Sequence, residues 1–104
     1  MLNDTAIMGR LTADPELRRT STGTPVCSFT LAVERDGKPG EDGKRATDCI
    51  DCVAWRGTAE FLCKFCGKGR MVVATGRLQT RTWKDKHDQT RKETELNATN
   101  LYFG

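Results

Sequence analysis

The segment from Val26 to Arg35 constrains the fold most strongly, because apolar and polar residues alternate along it. Its apolar residues Cys27, Phe29, Leu31 and Val33 all fall on one face of an extended chain. Successive side chains of a strand point to opposite faces, so the pattern predicts a strand that is half buried.

The order of the predicted elements narrows the fold further. Strands are predicted at residues 3–11, 26–35, 46–56, 71–83 and 92–103, and a mobile, glycine-rich hairpin loop at 36–44. A short helix lies between the third and fourth strands. This order is that of the OB-fold, a five-stranded Greek-key barrel. We therefore expect an all-β fold with one short helix, an OB-fold, built as a single domain by residues 1–104.

The predicted helix has an apolar side at helical spacing. We expect Thr58 to cap its start and Gly67 to end it. The residues of the apolar side are Phe61, Leu62, Phe65 and Cys66.

Two glycines inside predicted strands indicate unusual backbone. Gly9 lies within the first strand, where it suggests a bend or a close approach of another chain segment. Gly76 divides the long fourth strand, and we expect a sharp bend or a β-bulge there.

Positive charge is concentrated in the last part of the chain. The net charge is only +3, but residues 61–104 carry nine basic and four acidic side chains. All nine basic residues lie between Lys64 and Lys92, with only Asp85 and Asp88 among them. Such an excess attracts a polyanion, although an ordinary solvated surface would have the same composition.

The composition suits a folded soluble protein, with 37% hydrophobic and 30% charged residues. No apolar run approaches the ~20 residues that cross a membrane. The start, Met1-Leu2-Asn3-Asp4, has no basic and apolar leader pattern. We therefore expect a cytoplasmic, nucleoid-associated protein without a membrane partner.

Aromatic and guanidinium groups share a strand face beyond Gly76, where the odd positions include Arg77, Arg81 and Trp83. Trp55 lies on the less apolar face of the third strand. Stacking of one base on an aromatic ring contributes roughly 1–3 kcal/mol and tolerates any sequence. We expect both indoles to be exposed and to stack on bases; the alternative is that they fill the core or a subunit interface.

Basic side chains near these indoles are candidates for phosphate contacts, since a guanidinium can pair with phosphate and stack on bases. Neutralising about four phosphates would give a slope of roughly −3 for log affinity against log salt, at ~0.7 per phosphate. We interpret Lys86 as a solvated charge. The other candidates are Arg10, Arg56, Arg77, Arg81, Lys84 and Arg91.

Five cysteines raise the alternative of a zinc or redox module, because Cys49 and Cys52 are followed by Cys63 and Cys66 at the same spacing. Residues three apart on a strand point to opposite faces, so the first pair should diverge. Free cysteine is also a common small core residue. We therefore expect neither a metal nor a cofactor, and an odd number of cysteines argues against a disulfide framework.

Catalytic groups are sparse. The single histidine, His87, lies in a polar loop, and no nucleophile and base can be assembled around it. Asp48 and Asp51 have no evident partner for acid–base chemistry. We expect no enzymatic activity.

Several segments together resemble the bacterial and phage-type single-stranded DNA-binding protein family. They cover nearly the whole chain in the order and spacing of the family pattern. The matching segments are Met1-Leu2-Asn3, Gly9-Arg10-Leu11-Thr12, Asp14-Pro15-Glu16-Leu17-Arg18, Phe29-Thr30-Leu31-Ala32-Val33, Cys52-Val53-Ala54-Trp55-Arg56, Ala59-Glu60, Lys68-Gly69, and Gly76-Arg77-Leu78-Gln79-Thr80-Arg81 with Trp83 beyond.

The resemblance implies an OB barrel, usually a homotetramer, that wraps single-stranded DNA in replication, recombination and repair. It also places Trp55 and Trp83 at positions that stack on bases. Small barrels have edges to cover, so we expect a homo-oligomer, a tetramer or a dimer, in which residues 2–8 pair with their copy.

The sequence also departs from the family pattern. Some members have aromatic residues at the position of Cys49 and near Asp36-Gly37, where this chain has none. The sequence stops at Gly104, without the family's flexible tail and its acidic, aromatic tip, so either the protein is naturally short or a tail was removed. Only in the first case do we expect no recruitment of partners through such a tail. An OB-fold used as a protein-interaction module stays open as the main alternative function.

Overall fold

Strands account for most of the chain in a computed structural model, which describes residues 1–103. One short helix interrupts them. The elements are β1 (Thr5–Leu11), β2 (Arg18–Arg19), β3 (Pro25–Glu34), β4 (Thr47–Trp55), α1 (Arg56–Phe65), β5 (Met71–Lys84) and β6 (Thr90–Phe103).

The strands form one sheet that closes on itself. Its order is β1-β5-β6-β4-β3-β2, and β1 pairs in addition with β3 through Arg10–Ala32 and Leu11–Leu31. The pairing of β4 with β6 is parallel, and all the others are antiparallel. The ring β1-β3-β4-β6-β5 is the predicted five-stranded OB-fold with its helix after the third long strand, so the predicted fold class is confirmed.

A sixth, two-residue strand was not predicted from the sequence. Arg18 and Arg19 pair with Val26 and Pro25, which adds β2 to the outer edge of β3. Two residues are too few to show a period, so the sequence predicts no strand in this region.

The core lies inside the ring, on the face that the alternating pattern predicts. Cys27, Phe29 and Leu31 of β3 are buried, and Leu96 and Ala98 of β6 are buried opposite them. The pleat of each strand sends every second side chain inward, which is why a period-two sequence forms a one-sided core here.

The helix begins and ends differently from the prediction. It starts directly after Trp55, whose side chain makes no capping hydrogen bond, and Thr58 lies inside the first turn. The Thr58 hydroxyl donates instead to the backbone oxygen of Thr99, because β6 packs alongside. The helix ends at Phe65, and the Cys66 N–H donates to the Leu62 oxygen, so Gly67 is not the terminating residue.

The apolar side of the helix is narrower than predicted. Leu62 and Cys66 are buried, but the Phe65 side chain is 55% exposed. Phe65 lies in the last turn of the helix and is not part of the buried core.

Both marked glycines lie where another strand comes close. A Cβ atom on Gly9 would stand 2.6 Å from the Ala32 oxygen, and one on Gly76 would overlap the Asn97 oxygen. The β5–β6 register also shifts between Thr75 and Gly76. The predicted close approach at Gly9 and the predicted bulge at Gly76 are therefore confirmed.

Beyond the ring, β5 and β6 continue as a two-stranded arm formed by residues 79–84 and 90–95. Their pairing runs out to Lys84–Thr90. Most side chains of the arm are exposed, because no third strand pairs with it among residues 1–103. In the same range, no helix is long and apolar enough to cross a membrane.

Candidate nucleic-acid interface

Trp55 stands at the junction of β4 and α1, and its side chain is 40% exposed. It borders an open depression on the outside of the ring together with Gly57 and Thr99. Asn97 lines the same depression. The strand ends at this residue with its outward side chain displayed, so the indole has a free surface for a flat ligand.

Arg56 follows immediately and takes a left-handed backbone conformation, with φ of 55°. This region is uncommon for residues other than glycine. It lets the chain pass from β4 into α1 without a loop. The side chain of Arg56 is exposed and lines the same depression as Trp55.

Trp83 lies near the tip of the arm and is also 40% exposed. The Arg81 guanidinium carbon lies 5.3 Å from the centre of the Trp83 ring, which is within cation–π range. Arg91 is the cross-strand neighbour of Trp83. The arm thus presents one indole with guanidinium groups beside it.

Three cations of the arm are paired with carboxylates. The Arg81–Glu93 and Arg91–Asp85 nitrogen–oxygen distances are both 2.9 Å. The Lys84 ammonium nitrogen lies 3.7 Å from a carboxylate oxygen of Asp88, in the turn of the arm. Apart from the half-buried Asp85, the paired side chains are exposed, so each pair contributes little to stability, but the pairs hold the arginine side chains in place.

The ion pairs also shift pKa values. The hydrogen bond from Arg81 to Glu93 raises the pKa of the Arg81 guanidinium. The Gln89 backbone N–H lowers the pKa of the Asp85 carboxyl, and the Arg91 guanidinium lowers it further. A phosphate that binds either arginine must therefore compete with a carboxylate.

The arm is consequently not the uniformly basic surface that the charge count suggested. Strand pairing places Glu93 opposite Arg81 and Glu95 opposite Gln79. Asp51 of β4 borders the same surface. The range 64–92 leaves these carboxylates out, because Glu93 and Glu95 follow it directly on β6 and Asp51 lies on β4.

Arg77 is the exception among the arginines of β5. Within residues 1–103 its side chain has no ion-pair partner. It pairs across the sheet with Asn97, which borders the Trp55 depression. Arg77 itself lines a second depression with Asp4 and Thr99, and this depression adjoins the Trp55 depression because Thr99 borders both.

Arg10 lies apart from both indoles. Its guanidinium donates to the Gly69 oxygen at 3.0 Å and borders a depression with Glu34 and Arg45. Neither indole lines that depression. The ring closure between β1 and β3 sets this position, which sequence spacing does not reveal.

Arg18 belongs to the candidate surface, although the sequence analysis did not select it. Its guanidinium donates to the Ser28 hydroxyl at 3.0 Å. Ser28 pairs with Val53, and Val53 pairs with Asn97, so Arg18 stands at the end of the row that leads to the Trp55 depression. Only the pairing of the two-residue strand β2 reveals this placement.

Cys27 and Cys63 lie close enough for a side-chain hydrogen bond, but Cys49 and Cys52 do not share a face of their strand. Cys49 is exposed and Cys52 is buried, as expected for residues three apart on one strand. Burial raises the pKa of the Cys27 and Cys52 thiols from 9.0 to about 12 each. Among residues 1–103, no group of three or more His, Cys, Asp or Glu side chains could hold a metal ion.

Asp48, Asp51 and His87, the groups considered for catalysis, each have a different hydrogen-bond partner. Arg35 donates two hydrogen bonds of 2.9 Å to Asp48 and lowers the pKa of that carboxyl. Asp51 accepts from the Thr30 hydroxyl. His87 lies in the turn of the arm, where its backbone N–H donates to Asp85.

A closed OB ring that displays indoles beside guanidinium groups defines a class of protein, the OB-fold binders of nucleic acids. Comparison with known families agrees. The sequence matches the Single-strand binding protein family over residues 2–104, and the chain belongs to that family. The family is one of DNA-binding proteins rather than enzymes.

Curated relatives cover almost all of this chain. A "Single-stranded DNA-binding protein" of Caldanaerobacter subterraneus is 45% identical over 103 residues, which are 99% of this chain and 68% of the relative. "Single-stranded DNA-binding protein A" of Bacillus subtilis is 44% identical over 103 residues, 99% of this chain and 59% of the relative. "Single-stranded DNA-binding protein 1" of Lactococcus lactis is 45% identical over 98 residues, 94% of this chain and 65% of the relative. The chain therefore spans roughly three fifths to two thirds of the length of these relatives.

Proposed function

We propose that this chain binds single-stranded DNA with little sequence preference and does no chemistry on it. The observation that carries the proposal is the pair of exposed indoles, Trp55 and Trp83, each with a guanidinium group at its side. Indoles stack on any base, and guanidinium groups attract the phosphates between bases, so the contacts do not depend on sequence.

The two ends of the surface have different tasks in this proposal. At the ring, Trp55 accepts a base while Arg56 and Arg77 are available to phosphates. On the arm, Trp83 accepts a second base, and Arg81 exchanges its carboxylate partner for a phosphate. Lys84 and Arg91 supply further contacts there, whereas Arg10, on a separate depression, contacts only DNA that continues around the ring.

Coating of this kind keeps a single strand from pairing or being degraded, as replication, recombination and repair require.

We further propose a homo-oligomer, a dimer or a tetramer. Residues 5–8 of β1 pair with β5 on one side, and no strand of residues 1–103 pairs with their other edge. Met8 is 56% exposed there, so a second copy has both an edge and apolar surface to cover.

A fluorescence titration with dT oligomers tests the proposal. We expect the wild type to show quenching of tryptophan emission and Trp83→Ala to bind about 10-fold more weakly, at ~1.4 kcal/mol for each factor of ten. The control is Lys38→Ala in the 36–44 loop. Equal affinity for duplex and single-stranded DNA, or no binding of either, would instead favour a protein-interaction module.

A further inference from the structure

A second aromatic surface lies at the far end of α1, outside the site described above. Its members are Phe61 and Phe65 of the helix and Phe103 at the end of β6. The Phe61 ring centre lies 5.2 Å from that of Phe65 and 5.5 Å from that of Phe103. Phe65 is 55% exposed and Phe103 is 46% exposed, so the rings form a group with free faces. We call these three residues the phenylalanine surface.

Basic groups lie against the phenylalanine surface. The Arg70 guanidinium carbon is 4.3 Å from the centre of the Phe103 ring, and the Lys64 ammonium is 5.4 Å from that of Phe65. Lys68 is exposed in the turn that leads to Arg70. The nearby carboxylates are Glu60 of α1 and Asp14, which accepts from the Lys68 backbone N–H at 2.7 Å. The surface therefore combines exposed rings with an excess of positive charge, the same chemistry as Trp83 with Arg81.

The phenylalanine surface is continuous with the Trp55 depression. Gly57, Phe61 and Phe65 follow each other at four-residue intervals and so lie along one side of α1. Gly57 lines the Trp55 depression, and a Cβ atom placed on it would meet no atom within 4 Å. The ten residues of α1 span ~15 Å, which separates the two aromatic groups by a few nucleotides.

We propose that the phenylalanine surface is a further binding site for single-stranded DNA, which takes the bases of a strand that already occupies Trp55. Flat rings favour a ligand with flat faces, and the positive charge favours a polyanion. Single-stranded nucleic acid satisfies both, and the path along Gly57 connects the two sites. This inference rests on the proposed function, and it extends the contact of each subunit from the sheet onto the helix.

A relocated indole reports on the surface directly. The chain has two tryptophans, so Phe65→Trp combined with Trp55→Phe and Trp83→Phe leaves one indole, at the phenylalanine surface. OB-folds cover ~4–16 nucleotides. We expect dT oligomers of about 16 nucleotides to quench this indole and oligomers of about 4 nucleotides, bound at the sheet, to leave it unquenched.

Affinity provides the second readout. Phe65→Ala should weaken binding of the longer oligomer about tenfold and leave the shorter one unchanged, because one stacked base is lost. Phe65 is mostly exposed, so the variant keeps the core intact. Phe65→Tyr is the matched control, since it keeps the ring and should bind like the wild type.

Three results would overturn the inference. One is an unquenched relocated indole when the same triple variant is saturated with the longer oligomer, as followed by the anisotropy of labelled dT; the proposed function then stands without this site. Another is a change of mass of Phe65→Ala in light scattering, which would make the surface a contact between copies. The third is quenching by an acidic, phenylalanine-containing peptide but not by dT. No quenching of the native indoles at all would instead overturn the proposed function.

Discussion

Arg56 is a residue whose backbone is strained at the place where binding is proposed. Its φ of 55° costs about 1–2 kcal/mol for a residue with a side chain. Glycine is free of that cost. Its greater conformational freedom in the unfolded chain lowers the free energy of unfolding by about 0.5–1 kcal/mol, which offsets part of the gain. The position keeps an arginine beside Trp55 nonetheless, which is the distribution of strain expected at a functional site.

Exchange of this arginine should separate stability from binding. We expect Arg56→Gly to raise the free energy of unfolding by up to about 1 kcal/mol and to weaken binding of dT. Arg56→Ala should weaken binding to the same extent without the gain in stability. Urea unfolding and fluorescence titration of both variants measure the two effects. A stable Arg56→Gly variant with unchanged affinity would remove Arg56 from the interface.

The buried thiols of Cys27 and Cys52 predict a loss of stability in alkali. Their pKa values rise from 9.0 to about 12, chiefly through burial. The unfolded chain therefore ionises first, so the stabilisation is complete below about pH 9 and is lost as the pH rises from there towards 12. Each thiol should lower the free energy of unfolding by about 1.4 kcal/mol between about pH 8 and about pH 10.

Urea unfolding at these two pH values measures the loss. Cys52→Ala should show a smaller drop between them than the wild type, because one buried thiol is gone. Cys49→Ala should show the same drop as the wild type, since the Cys49 side chain is exposed in the folded protein. Equal drops in all three proteins would contradict the assignment to the buried thiols.

At the scale of elements, the arm formed by β5 and β6 is the part that sequence analysis described least completely. A two-stranded hairpin is only marginally stable alone, so its cross-strand pairs keep it ordered. The pairs include Gln79–Glu95 and Arg81–Glu93. The carboxylates thus order the arginine of the arm and at the same time compete with phosphate for it.

Removal of one carboxylate should reveal this competition. We expect Glu93→Gln to bind dT several-fold more tightly at low salt, because Arg81 loses its partner and the arm loses a negative charge. The free energy of unfolding should fall by no more than about 1 kcal/mol, the limit for an exposed pair. Glu41→Gln in the 36–44 loop makes the same charge change away from the arm and is the control. Equal gains in both variants would assign the effect to net charge alone.

Local patterns predicted the elements, whereas contacts between elements decided the details of the site. The inward residues of β3 and β6 follow from a period of two, which any stretch of a few residues displays. The position of Glu93 beside Arg81 depends on the register of the hairpin. The separation of Arg10 from the indoles depends on ring closure, and the start of α1 at Arg56 depends on packing against β6.

At the scale of the whole molecule, net charge is a poor guide to binding. The chain carries +3 overall, but Arg56 lines the depression of one indole with Arg77 in the adjoining depression, and the arm supplies Arg81 and Arg91 near the other indole. Phosphates of a bound strand respond to these local groups, because salt screens charges that lie more than about 10 Å away. The dependence of affinity on salt therefore counts contacts rather than net charge.

A salt titration makes this count. If these four arginines each neutralise one phosphate, log affinity for dT should fall against log salt with a slope of roughly −3, at ~0.7 per phosphate on a single strand. Arg77→Gln should make the slope shallower by about 0.7, since Arg77 has no ion-pair partner within residues 1–103. Lys38→Gln removes the same charge from the 36–44 loop and should leave the slope unchanged. If both variants changed the slope equally, the protein would hold DNA by its overall field, and the interface of indoles and arginines would lose its electrostatic support.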